Sequence, residues 1–357
     1  MRFAFTEEQD MLRDMIRGAL QREAADKVRR WFEAGDPAPF DTIAARNGWT
    51  GLGVAEKAGG QGGGLIEQAL LFEEIGRCAA PSGGLIATLA GMLGFVAGVD
   101  GGLAALGPIV SGAQRGALAA PAGAPADLGL PSVRQKGGRL TGIAPMVVAA
   151  QSADRILAPL ADADGLDLWL VDGAAEGLRI MPRHLIDRTR QFGDIAFDET
   201  PATRLGRLSK AAAVEAGARL ALLVAAESLG LARRMLAMTV EYVGQRVQFG
   251  VPVGSFQAVK HAAAEALVEI EAAHSGVYYG SWALQEGEAD GVLTAWIAKA
   301  FATETAVRTA DRALLLHGAI GYTWEHDLQI YYKRAKLNLE LFGSPKWYRE
   351  RIAAAIL

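Results

Sequence analysis

The segment Arg246-Val-Gln-Phe-Gly-Val-Pro-Val-Gly-Ser-Phe-Gln-Ala-Val-Lys-His261 sets a guanidinium, a phenyl ring and two side-chain amides around a glycine–proline break. Gly250 and Pro252 stop the helix that precedes them, which leaves Arg246 and Phe249 in or just beyond its last turn. Such a corner can grip a dinucleotide. The cation suits a pyrophosphate, the flat ring suits an adenine, and the Gln257 amide adds a donor and an acceptor. The same residues also make an ordinary helix–turn–helix corner with a solvated arginine, and spacing alone leaves both readings open.

Other chemistry is sparse. His261, His317 and His326 lack metal-ligand spacing, and Cys78 stands alone, so neither a metal cluster nor an internal disulfide is expected. Gly-x-Ser-x-Gly and Ser/His/Asp arrangements are absent. The glycine-rich stretch Ala58-Gly-Gly-Gln-Gly-Gly-Gly64 lacks the Lys-Ser/Thr ending of a phosphate loop and a buried strand before it. It reads as a loop where helices pack closely. Tyr331, Tyr332, Trp347 and Tyr348 form an aromatic patch that reads as core or subunit interface.

These residues must be held by a chain of 357 residues, long enough for two or three domains and 51% hydrophobic. Its net charge of -4 comes from well-mixed acids and bases, which argues against a nucleic-acid partner. The opening Met-Arg-Phe-Ala-Phe-Thr-Glu-Glu-Gln-Asp carries no apolar signal core, so a cytoplasmic location is expected. From Cys78 to Val99 there is no charge, but Pro81 and five glycines interrupt the run. A buried helix pair is expected there rather than a membrane span.

The first third, residues 1–114, reads as helices. Thr6 and Gln9 have capping-box spacing, and Met11, Leu12, Met15, Ile16, Ala19 and Leu20 form one apolar stripe. Residues 115–206 change character: Arg155-Ile-Leu-Ala-Pro-Leu, Leu166-Asp-Leu-Trp-Leu-Val and Asp194-Ile-Ala-Phe have strand lengths and are bounded by turns, which indicates a small β domain. Helices return over residues 207–357, with long ones expected at 209–244, 255–286, 289–317 and 323–341. A last one begins at Ser344-Pro345.

Several segments, in order, resemble the acyl-CoA dehydrogenase family: Phe5-Thr-Glu-Glu-Gln, Gly48-Trp-Thr-Gly-Leu-Gly-Val-Ala-Glu-Lys-Ala-Gly-Gly, Phe72-Glu-Glu-Ile-Gly-Arg, Arg246 to His261, and His317-Gly-Ala-Ile-Gly-Tyr-Thr-Trp-Glu-His-Asp. The resemblance spans nearly the whole chain. It implies an all-α N-terminal domain, a small middle β domain and a C-terminal antiparallel four-helix bundle. It also implies FAD-dependent oxidation of the Cα–Cβ bond of an acyl-CoA thioester, with electron-transfer flavoprotein as acceptor. In the family's dimers the arginine turn reaches a neighbour's FAD. That assigns Arg246 and Gln257 to the pyrophosphate region, Phe249 to the adenine, Gln248 to a polar supporting role, and Gly318 to close backbone approach.

The departures from the family pattern have a direction. Counted from Thr323, the family's usual base, the glutamate of a Tyr-Glu-Gly-Thr segment, falls on Phe342; the alternative position on the long helix falls on Leu220. No catalytic residue is therefore assigned. Glu340 should face away from Phe342, being offset by roughly 200° on a helix, and Glu227 lies on the Leu220 face but about 10 Å further along. Glu227 is expected to be a buried glutamate paired with a neighbouring arginine. The family's flavin-ring segments, Thr-Glu-Pro-x-x-Gly-Ser-Asp and Trp-Ile-Thr, are replaced by Leu118-Ala-Ala-Pro-Ala-Gly-Ala-Pro-Ala-Asp and by Met146 and Val148, and Leu315 replaces a usual glutamine. The Thr-Trp-Glu-His-Asp turn resembles a branch forming α2β2 heterotetramers on bulky acyl-CoA esters, including steroid side chains. The expectation is a subunit that completes the FAD site of a base-bearing paralogue. A self-sufficient homo-oligomeric enzyme with a displaced base and a non-catalytic acyl-CoA-binding scaffold are the alternatives.

Overall fold

The computed structural model describes residues 4–357. Helix α1 (Glu7–Glu23) opens on a reciprocal cap: Gln9 N–H donates to the Thr6 hydroxyl at 3.2 Å, and Thr6 N–H donates to the Gln9 side chain at 3.0 Å. Its buried face is narrower than the expected stripe. Ile16, Ala19 and Leu20 are enclosed, whereas Met11 and Met15 are 60% and 70% exposed because they lie on the flank of that face. Short helices α2 (Val28–Ala34) and α3 (Ala38–Arg46) lead to the glycine-rich loop and then to α4 (Leu65–Cys78). That loop packs tightly, since a Cβ on Gly60 would stand 2.1 Å from the Val54 carbonyl oxygen.

The uncharged stretch is buried as expected, but as one continuous helix against the strand Gly116–Leu118 and the helix Lys210–Gln245 rather than as a helix pair. It begins as α5 (Gly83–Leu85), widens to a π-helix over Ile86–Leu93, and closes as α6 (Gly94–Val96). Among the described residues no helix is long and apolar enough to cross a membrane. After α7 (Gly107–Val110) come the strands. One sheet has the order β1 (Gly116–Leu118), β4 (Arg155–Ala161), β5 (Gly165–Asp172), β8 (Thr203–Ser209), with β1 parallel to β4 and the other pairs antiparallel. The other is antiparallel, with the order β2 (Arg134–Lys136), β3 (Arg139–Val148), β7 (Phe192–Pro201), β6 (Leu178–Arg183).

Four long helices follow: α8 (Lys210–Gln245), α9 (Gln257–Glu286), α10 (Gly291–His317) and α11 (Leu328–Glu340). The short α12 (Pro345–Ile356) starts on a serine cap, with Trp347 N–H donating to the Ser344 hydroxyl. Helix α8 is the axis of the molecule, buried on nearly all sides from Ala213 to Met235. It meets α4 through a reciprocal glycine contact. A Cβ on Gly76 would fall 2.1 Å from the Glu227 carbonyl oxygen, and one on Gly230 would fall 1.9 Å from that of Glu73. Backbone therefore lies on backbone where these two helices cross.

Candidate functional site

The loop after α11 holds Phe342, the position at which a family base is expected. Its φ is 56°, its side chain is buried, its N–H donates to the Ala122 carbonyl at 2.6 Å, and its carbonyl accepts the Tyr348 hydroxyl at 2.7 Å. Lys299, wholly enclosed on α10, clamps the same loop by donating to the carbonyls of Asn338 (3.0 Å), Leu339 (3.4 Å) and Gly343 (3.2 Å). Burial pushes the Lys299 ammonium down to about 7. Leu220 is wholly buried hydrocarbon, and Glu340 points to solvent. Nothing in this loop can take a proton from a thioester.

Glu227 sits at the centre of a buried ionic cluster, as its expected pairing requires. The Ser82 hydroxyl donates to its Oε1 at 2.7 Å and Arg334 Nη1 to the same oxygen at 2.5 Å. Its Oε2 accepts from Asn338 Nδ2 at 2.9 Å and from Arg190 Nη2. Arg334 Nε also reaches Asp187 Oδ2 at 2.7 Å, and Arg190 Nη1 reaches Asn338 Oδ1 at 2.6 Å. Both arginines and both carboxylates have side chains with no exposure. Burial alone would raise the Glu227 carboxyl, but Arg190 and Arg334 overcome it and hold the group down at about 2. A carboxylate so held is a poor proton acceptor. Sequence reasoning found one member of this cluster and missed Ser82, Asp187, Arg190, Arg334 and Asn338. The only local signal was the acid Glu227 itself, set inside the otherwise uncharged run Leu220–Ala232.

The two segments that would face a flavin ring bond to each other instead. Ala122 N–H donates to the Met146 carbonyl at 3.1 Å, Ala119 N–H to Leu157 at 2.8 Å, and Ala120 N–H to Leu118 at 2.8 Å. Met146 N–H is taken by Asp194 Oδ1 at 2.9 Å, and Val148 is buried hydrocarbon. The amides of this corner are used within the protein.

The arginine turn does the opposite. Helix α8 ends at Gln245, and a two-stranded hairpin, β9 (Val247–Gln248) and β10 (Val251–Pro252), turns through Phe249 at φ 53° and Gly250 at φ 78°. Arg246, Gln248, Phe249 and Gln257 are all exposed, Phe249 by 93%, its ring edge-on to Phe256 at 6.4 Å. The Arg246 guanidinium has no ion pair among the described residues. Gly318 ends α10 with φ 66° and ψ -146°, and a Cβ there would meet nothing within 4 Å. His317 joins the two corners by stacking on Tyr242, with ring centroids 4.6 Å apart. The structure thus brings all five candidate binding residues to one outward-facing end of the bundle. His317 and His326 also come together there, 4.8 Å between rings. No group of three or more potential metal ligands is found among the described residues.

The family pattern described as acyl-CoA dehydrogenase, N-terminal domain, matches residues 6–98, and that described as acyl-CoA dehydrogenase, C-terminal domain, matches residues 211–357. Acyl-CoA dehydrogenase IpdE2 of Mycobacterium tuberculosis is 32% identical, the alignment covering 98% of this chain and 98% of that protein. The chain belongs to the acyl-CoA dehydrogenase family. Its Mycolicibacterium smegmatis counterpart, also named acyl-CoA dehydrogenase IpdE2, is 30% identical over 98% of this chain and 99% of its own length. A solved structure of a Tcur3481–Tcur3483 steroid ACAD variant superposes with a TM-score of 0.87 at 29% identity, covering 98% of each chain.

The flavin of acyl-CoA dehydrogenases is FAD, which takes up the hydride when bound. The residues of this chain fit it unequally. The corner of Ala119 to Ala122, Met146 and Val148 has its amides already bonded and offers an isoalloxazine edge no free donor. The outward end, with an unpaired guanidinium, an exposed phenyl ring and side-chain amides, fits the pyrophosphate and adenine half of a dinucleotide presented from outside.

Proposed function

We propose that this chain is the subunit of a heteromeric FAD-dependent acyl-CoA dehydrogenase that completes the FAD site of a base-bearing partner. One observation carries this reading. The base position is a buried phenylalanine with both backbone groups engaged, while the residues directed at a dinucleotide all stand free in solvent. The similar steroid ACAD structure, which names two components, supports a two-subunit assembly. Arg246 and Gln257 hold the pyrophosphate, Gln248 assists, Phe249 covers the adenine, and Gly318 lets backbone approach the cofactor. The partner supplies the carboxylate that removes the α-proton. The substrate is a bulky acyl-CoA thioester of lipid or steroid breakdown, electrons leave to electron-transfer flavoprotein, and the complex works in the cytoplasm.

The test is co-expression with a paralogous acyl-CoA dehydrogenase subunit that carries an intact glutamate. A yellow complex that reduces its flavin with acyl-CoA is expected, and the chain alone is expected to be colourless and inactive. A pure homomer that fully reduces its own flavin with an acyl-CoA overturns the proposal. A flavin-free protein in every assembly would leave only an acyl-CoA-binding scaffold.

A further inference from the structure

Three rings cross the outward end of the bundle in a row. His317, the last residue of α10 and 4% exposed, stacks on Tyr242 of α8 with the ring planes 17° apart. Its other side meets His326 edge-on, with centroids 4.8 Å apart. Tyr242 in turn carries the arginine turn: its carbonyl accepts the Arg246 N–H at 2.8 Å, and the Arg246 carbonyl accepts the Val253 N–H at 2.7 Å. His317 also directly precedes Gly318, and a Cβ on Gly321 would stand 3.0 Å from the His317 Cβ, so that turn folds onto the same residue. One side chain thus ties the hairpin to the Gly318 turn.

Hydrogen bonding fixes the charge of both imidazoles. His317 Nδ1 lies 2.7 Å from the Ala313 carbonyl, which can only accept, so this nitrogen carries the proton. His317 Nε2 is buried without a partner, and a second proton there would make a buried cationic N–H with no acceptor. His326 Nδ1 accepts the Leu328 N–H, the first amide of α11, at 3.1 Å, so this nitrogen is bare. Protonating it would set two donors against each other. Burial draws both imidazoles below their ordinary value. Arg29 on α2, Arg234 and Glu241 on α8, Glu325 and Asp327 beside the ring, and Tyr331 on α11 line the same cleft as His326. Arg29 and Asp327 pair with each other at 2.7 Å, so neither alone sets the charge of the ring.

We infer that His317 and His326 are positioning residues: as neutral imidazoles they hold the Arg246 hairpin and the Gly318 turn at a fixed spacing, and a proton on either releases that hold. With both groups lowered, the hold is complete above the ordinary imidazole value of 6.5 and is lost as pH falls below it. That the two corners meet a dinucleotide rests on the heteromeric reading; the mounting itself does not.

Hydrogen–deuterium exchange of the full chain, read as protection factors to remove the intrinsic pH dependence, tests it. At about pH 7.5, His317→Ala should lower protection of the Val253 amide about tenfold, and His317→Phe, which keeps a stacking face, should restore it. Between about pH 7.5 and about pH 5 the unmodified chain should lose protection at Leu328. His326→Asn, whose side-chain oxygen can accept the same N–H without titrating, should keep it. In a co-expressed complex, His317→Ala should weaken flavin retention about tenfold, with His317→Phe again restoring it. With folding verified by circular dichroism, unchanged Val253 protection in His317→Ala or no restoration by His317→Phe overturns the inference. So does a loss of Leu328 protection in His326→Asn equal to that of the unmodified chain. A loosened hairpin with unaltered flavin retention upholds the mounting and overturns only the dinucleotide role of this end.

Discussion

Glu227 shows how a carboxylate in a family of carboxylate enzymes can be committed to architecture. Removing its charge leaves Arg190 and Arg334 facing each other without water, a situation that costs about 3 kcal/mol or more. Glu227→Gln is therefore expected to lower the midpoint of urea unfolding sharply. The pH dependence has a definite sign. The folded carboxyl is held at about 2, below its ordinary 4.5, so its contribution is full above about 4.5 and fades as pH falls toward 2. The glutamine variant should lack that part of the acid-induced loss, and an unaltered acid profile would contradict the assignment. The pairing of Glu227 with an arginine was legible in the sequence. Its partners were not, because Arg190, Arg334 and Ser82 lie 37, 107 and 145 positions away and no local spacing links them.

At the level of elements, the closest fit is the crossing of α4 and α8. Each helix offers a glycine where the other presents a carbonyl, so a methyl group on either side must push the pair apart. Gly230→Ala is expected to destabilise by about 3 kcal/mol, the upper range of overpacking, although alanine favours helices elsewhere. A melting temperature equal to that of the unmodified chain would show that the crossing relaxes freely. The sequence announced the helices well: the expected 209–244 and 255–286 appear as Lys210–Gln245 and Gln257–Glu286. Breaks such as Ser209, Gly250 and Gly287 fix those ends. Strand β3 was less visible, because Gly142 and Pro145 interrupt its alternation, and a register shift follows at Ala144. The π-wound stretch could not be read, since an uncharged run is buried all round and shows no period.

Taken as a whole, the molecule is closed where a flavin ring would sit and open at the end of its bundle. Arg246→Gln combined with Phe249→Ala touches only exposed side chains, so the isolated chain should unfold within about 0.5 kcal/mol of the unmodified one. In the proposed two-subunit complex the same pair should strip flavin absorbance, and full retention of flavin would remove these residues from the proposed cofactor site. That a phenylalanine and a leucine stand at the two positions where the family pattern has its base, Phe342 and Leu220, was legible from the sequence alone. The mutual bonding of Ala122, Met146 and Phe342 was not, because it depends on how three distant segments meet.

The ionic cluster gathers Ser82 from the N-terminal helices, Asp187 and Arg190 from the strand region, and Glu227, Arg334 and Asn338 from the bundle. The strand region and the bundle cannot part without stranding buried charges, and loss of the N-terminal region takes the Ser82 hydroxyl from Arg190, Arg334 and Glu227. Breathing motions that elsewhere release a single layer are therefore suppressed here, and the slowest-exchanging amides of all three regions should trade their protons for deuterium in one shared event.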